Sequence, residues 1–136
     1  AGIPHAAIVG HILDKPMGYV RMGAKDFKGK RIEGELKVGQ KVVVVEDLVS
    51  TAKSSLEVVE VLRSAGAEVL GMVSIFTYGM KKGMDNMASA GVKNVSLATL
   101  DDVVDVALEQ NLIDESEKVK ILAFRDNPTD NNWMTR

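Results

Sequence analysis

Apolar residues recur along the chain at helical and strand periods in alternation. Ile8, Val9, Ile12 and Leu13 are spaced as one helix within Ile3–Leu13, and Asp14-Lys15-Pro16 ends it because proline cannot continue a helix. Met17–Arg21 reads as a short strand. Periodicity then vanishes over Met22–Gly34, a glycine-rich stretch of alternating charge that reads as one long loop. After a turn at Val38-Gly39-Gln40, the β-branched run in Lys41–Val45 has the pattern of a central strand buried on both faces. Glu46–Ser55 reads as the loop behind it. A helix follows over Ser54–Ala65, with Leu56, Val59 and Leu62 on one face and Glu57, Glu60 and Arg63 on the other. Ser54 and Glu57 have the spacing of a capping box, and Gly66 is a C-terminal stop. Glu68–Phe76 is the next strand. Met84, Met87 and Ala88 mark a helix closed by Gly91, and Val95–Ala98 is a shorter strand. The pairs Thr99/Asp102 and Asp114/Glu117 open two last helices, bearing Val104, Ala107, Leu108 and Leu112 and then Val119, Leu122 and Ala123. The polar tail reads as irregular, with Trp133 as a packing anchor.

Strands alternating with helices predict an α/β fold with a mostly parallel sheet flanked by helices. A length of 136 residues with 46% hydrophobic and 26% charged residues fits one globular domain spanning 1–136. A net charge of −2 gives no general attraction to nucleic acid. The absence of cysteine removes disulfides, thiolate ligands and thiol nucleophiles. Apolar runs fall far short of the roughly 20 residues of a membrane helix, and no secretory pattern opens the chain, so a cytoplasmic location is expected. His5 and His11 read as surface residues rather than metal ligands, and the methionines as core filler.

The chemistry concentrates behind the strongest strand, since ligands of open parallel sheets bind beyond the carboxyl ends of the strands. There the carboxylates Glu46 and Asp47 precede the hydroxyls of Ser50, Thr51, Ser54 and Ser55 at a helix start. Free N–H groups and the positive end of the helix dipole suit a phosphate, while the acids suit ribose hydroxyls or a hard cation such as Mg²⁺. The alternative is a capped helix beside a solvated acidic pair, since hydroxyls are also the preferred caps. Over Arg21–Glu33 the cations Arg21, Lys25, Lys28, Lys30 and Arg31 outnumber Asp26 and Glu33, which is compatible with a solvated surface loop or with a binding role.

The segment VVVVEDLVSTAKSS resembles the phosphoribosyl-diphosphate signature of the type I phosphoribosyltransferases. Together with AGIPHAAIV, PMGYVR, IEGELKVGQKVVVVEDL, AGAEVLGMVSIFTY and FRDNPTDNNW it resembles bacterial orotate phosphoribosyltransferases over essentially the whole chain. The resemblance implies a Rossmann-like phosphoribosyltransferase core. The implied reaction transfers ribose 5-phosphate from phosphoribosyl diphosphate to orotate, giving orotidine 5′-monophosphate and diphosphate in pyrimidine (UMP) synthesis. It implies that Glu46 and Asp47 hold the ribose hydroxyls and that Ser50, Thr51, Ala52, Lys53 and Ser54 cradle the 5-phosphate, with Ser50 also near orotate. Arg21 and Lys25 match the family's arginine and catalytic lysine on a loop that closes over the diphosphate, often from the neighbouring subunit of a homodimer. Asp47 and Lys25 are thus the implied catalytic pair. Mg²⁺ would ride on substrate oxygens with few protein ligands.

The sequence also departs from the family pattern. Gly23 and Phe27 stand where a lysine and a histidine are usual, and Ala52 stands where glycine is usual. The family's N-terminal hood over orotate and its first core strand have no counterpart here, so a core truncated at the N-terminus is expected. No arginine lies near Tyr78 to meet an orotate carboxylate. Two readings follow. One is an orotate phosphoribosyltransferase; the other is a catalytically impaired or non-catalytic relative that binds a phosphorylated nucleotide or sugar.

Overall fold

The computed structural model describes residues 2–22 and 31–135. Helix α1 (Ile3–Ile12) leads into a small antiparallel ribbon of β1 (Tyr19–Val20) and β2 (Ile32–Glu33). The α/β core follows as β3 (Lys41–Val49), α2 (Lys53–Ser64), β4 (Glu68–Thr77), α3 (Lys81–Ser89) and β5 (Asn94–Thr99). Helices α4 (Leu100–Glu109) and α5 (Glu115–Asp126) close the order, with a single 3₁₀ turn at Trp133–Thr135. Strands β3, β4 and β5 form a parallel sheet in that spatial order. The expected fold class therefore holds.

One face of this sheet makes the core. Val44 and Met72 lie in register, and Val49 at the end of β3 joins Ala52, Val59, Met87 and Val92 from the flanking segments in the same cluster. Met72 is 2% exposed on the middle strand. Farther along, Glu46 lies opposite Ser74 and Ser74 opposite Ser96. The Ser74 and Ser96 hydroxyls are 2.6 Å apart, and Asn94 Nδ2 donates to Ser96 at 2.9 Å, so this part of the sheet is satisfied by polar bonds within itself.

Several boundaries differ from the sequence reading, each for a physical reason. Strand β3 does not stop at Val45. Its ladder with β4 continues through Glu46↔Ser74 to Val49↔Thr77, so the acids belong to the strand, and the loop is reduced to Ser50–Ala52. Nor is β3 a central strand buried on both faces: it pairs on one side, and Val43 is exposed, as are Val73, Ile75, Val95 and, at 85%, Leu97. The Met17–Arg21 strand shrinks to Tyr19–Val20, and Ile32–Glu33, read as loop, is its partner. Two residues with one cross-strand partner each carry no periodicity to detect. Ser54 and Glu57 form no capping box. The residue before α2 is Ala52, without a side-chain cap, and Glu57 instead pairs with Arg31.

The other two capping boxes are present as expected. Thr99 Oγ1 accepts from Asp102 N–H at 3.1 Å while the Asp102 carboxylate accepts from Thr99 N–H at 2.8 Å, and Asp114 and Glu117 exchange the same bonds. The Thr99 hydroxyl and amide hold the Asp102 carboxyl below its ordinary value of 3.8. Because the folded pKa is depressed, its stabilisation is present above the unfolded value and is lost as pH falls through the folded one. Thermal unfolding followed from pH 5 downward should therefore lose this increment in wild type, and a Thr99→Ala variant should lose less over the same range. Equal acid sensitivity in both would show that the cap is not the source. The tail packs through Trp133, whose ring lies 5.3 Å from that of Phe124 on α5. Arg125 on α5 reaches Asp101 on α4 at 2.6 Å, and Lys118 reaches Asp105 at 2.7 Å. No helix among the described residues is long and apolar enough to cross a membrane.

Candidate functional site

A cleft of about 290 Å³ opens where β3 gives way to α2. Ser50, Thr51, Ala52, Lys53 and Ser54 line it, together with Leu48, Ser55, Glu57 and Met22 from the end of the β1 side of the ribbon. The expected cradle residues are thus brought together. Lys53 and Ser54 form the exposed rim, while Ser55 is 2% exposed. Among the described residues no partner is seen for the hydroxyls of Ser50, Thr51, Ser54 or Ser55. With α2 beginning at Lys53, its first amides have no helical acceptor and stand at the cleft.

The turn itself is unusual. Ala52 has φ +59° and ψ +11°, the left-handed region that glycine occupies freely and alanine does not. It is also 3% exposed and part of the core. The sharp reversal from strand into helix thus uses a conformation in which the side chain is buried and the backbone strained.

The remaining expected residues are placed differently. Successive positions on a strand project to opposite faces, so Glu46 lies on the Val44–Leu48 side and Asp47 on the other. Neither lines the cleft, although both directly precede it. Gly2, at the start of α1, packs on this end of β3; a Cβ there would collide with the Val45 carbonyl and come within 2.9 Å of Glu46 Cα. Arg21 does not enter the cleft either. Its guanidinium pairs with Glu33 at 2.9 Å, and its backbone N–H donates to the Arg31 carbonyl at 2.7 Å, which closes the base of the ribbon. Arg31 ties that base to α2 through Glu57. Lys25, with Gly23 and Phe27, lies outside the described residues. His11 is exposed and His5 half-buried, and neither belongs to a ligand cluster among the described residues.

The sequence profile of the phosphoribosyl transferase domain matches residues 1–110. The chain belongs to the phosphoribosyl transferase family. It is 48% identical over 134 residues to the orotate phosphoribosyltransferase of Listeria monocytogenes serotype 4b, covering 98% of this chain and 63% of that protein. Among solved structures, the phosphoribosyl transferase fold here is similar to the orotate phosphoribosyltransferase of Aeropyrum pernix, with TM-score 0.65, 34% identity, and coverage of 83% of this chain and 60% of that one. It is also similar to the Mycobacterium tuberculosis orotate phosphoribosyltransferase in complex with 5-phospho-α-D-ribosyl 1-diphosphate, with TM-score 0.55, 30% identity, and coverage of 65% of this chain and 49% of that one. The chain thus spans a little under two thirds of the length of the curated relatives it matches.

Proposed function

We propose that this chain serves the orotate phosphoribosyltransferase reaction, the transfer of ribose 5-phosphate from phosphoribosyl diphosphate to orotate with release of diphosphate. The observation that carries this reading is the cleft at the start of α2. It combines hydroxyls without partners among the described residues, a buried Ser55 and free helix amides, in a chain related over nearly its whole length to orotate phosphoribosyltransferases. Such a cleft favours a dianion through hydrogen bonds and the helix dipole together.

In this reading Ser50, Thr51, Lys53, Ser54 and Ser55 bind the 5-phosphate, and Ser50 also borders the orotate position. Glu46 and Asp47, at the end of β3, serve the ribose hydroxyls from the two sides of the strand. Lys25 and Arg21 serve the diphosphate, and for Arg21 this requires exchange of its Glu33 partner. Bond cleavage builds positive charge on the ribose and negative charge on the diphosphate, so the residues act by position and electrostatics. Among the described residues no group of three or more His, Cys, Asp or Glu side chains converges on a metal position. Glu46 and Asp47, on opposite faces, do not make a cage for a resident ion. Mg²⁺ would enter with the substrate in this reading and would offset charge on its oxygens, with few protein ligands. A homodimer in the cytoplasm is part of the same proposal, with the basic loop of one copy completing the site of the other.

Calorimetric titration with ribose 5-phosphate and an orotate-consumption assay with phosphoribosyl diphosphate and Mg²⁺ test the proposal. Wild type should bind the sugar phosphate and consume orotate. Ser55→Ala should weaken sugar-phosphate binding by about tenfold or more, the loss of one hydrogen bond to a charged group. Binding without turnover would leave a non-catalytic sugar-phosphate binder, and absence of both would remove any ligand role for the cleft.

A further inference from the structure

We propose that the β4–α3 segment is a backbone clamp that aims the amides of the Ser50–Ala52 turn into the cleft, with Asn86 as its positioning residue and Gly83 as the gap that admits it. The inference deepens the phosphate-site reading above and rests on it.

Three successive carbonyls of the turn face this one segment. The Val49 carbonyl accepts from Tyr78 N–H at 3.0 Å and from the Thr77 hydroxyl at 3.3 Å. The Ser50 carbonyl lies against Gly83, where a Cβ would collide with its oxygen and sit 3.3 Å from its carbon. The Thr51 carbonyl accepts from Asn86 Nδ2 at 3.0 Å, and Asn86 is half-buried. Thr77 is itself held, since its hydroxyl oxygen accepts from Gly79 N–H at 3.2 Å.

Peptide geometry converts these contacts into a direction. In a planar trans peptide the N–H of one residue points opposite to the carbonyl of the residue before it. The described chain has no cis bond. Carbonyls 49, 50 and 51 turned toward β4–α3 therefore turn the N–H groups of Ser50, Thr51 and Ala52 away from it. The cleft lies on that far side: Ser50, Thr51 and Ala52 line it, and no residue of α3 does. Successive amides facing one concavity form an anion-binding arrangement. The left-handed conformation at Ala52 needs outside support to persist, and the Asn86 bond to the adjoining peptide supplies it. Gly83 has the matching role. A glycine within a helix is less favourable than alanine, and here it allows the first turn of α3 to reach the Ser50 carbonyl.

The test is titration of the ¹⁵N-labelled protein with ribose 5-phosphate, read at the backbone amides, in wild type, Asn86→Ala and Asn86→Asp. Asp keeps the size of the side chain but, ionised, has no donor. In wild type the amide protons of Ser50, Thr51 and Ala52 should move downfield together on binding. Both variants should bind about tenfold more weakly, with those three shifts reduced, at temperatures where each remains folded. A merely structural Asn86 would lower the unfolding midpoint and leave affinity and the three shifts as in wild type, and that result overturns the clamp. So does a wild type that binds while these amides stay unmoved, an outcome that needs no variant to fold. Absence of sugar-phosphate binding by wild type overturns instead the site reading on which the clamp rests.

Discussion

Ala52→Val is expected to lower stability by about 1–3 kcal/mol or more and to abolish sugar-phosphate binding. Two effects add. Alanine already bears the general left-handed cost of about 1–2 kcal/mol, so the variant adds only the extra crowding of a branched Cβ in that region, while overfilling a packed site costs about 1–3 kcal/mol. Ala52 meets both conditions, with φ +59° and a position in the core cluster beside Val49 and Val59. Relief of either effect requires the turn to move, and its amides would move with it. Ala52→Gly separates conformation from packing. It relieves the backbone strain but loses a buried methyl, about 0.8 kcal/mol, and gains freedom in the unfolded chain, so its stability should stay within about 1 kcal/mol of wild type. Urea unfolding midpoints measure both variants. A valine variant as stable as the glycine variant would mean that the turn does not adopt this conformation in solution.

Met72→Ala should be at least as damaging, at about 2–5 kcal/mol, by leaving a cavity in the middle strand. That is a large share of the stability of an ordinary domain, about 5–15 kcal/mol, so partial unfolding at growth temperature is expected. Met72 faces Val44 in register, within the cluster that includes Val59, Met87 and Val92. The midpoint of denaturant unfolding should fall with little change in slope. A loss below about 1 kcal/mol would place the principal core on the other face of the sheet, with Val73, Ile75, Val95 and Leu97.

The elements that could be read from the sequence were those written in local signals. Thr99/Asp102 and Asp114/Glu117 announce their helices because a capping box is complete within four residues. The hydroxyl cradle was legible for the same reason, being contiguous from Ser50 to Ser55. What could not be read depends on distant partners. Glu46 and Asp47 look like the start of a loop, but the ladder offered by Ser74 to Thr77 extends the strand through them. Ser54 looks like a cap until the left-handed Ala52 places it inside the helix. The hairpin needs Arg21 and Arg31 to meet across the loop. Gly83 and Asn86 sit some thirty residues beyond the turn they touch, and no spacing links them. The one signal available was a glycine within the helical stretch around Met84 and Met87, a position where close approach of another backbone is a usual cause.

The parallel sheet has a kinetic consequence. Lys41 pairs with Glu68 and Met72 with Asn94, so neither pairing can form until a helical crossover has wound back across the sheet. Loop-closure entropy is spent before any contact between strands rewards it, so parallel strand pairing is expected to form more slowly than the helices. Until its partner strand has come round, the valine-rich third strand exposes unpaired backbone, a condition in which self-association competes with the native route.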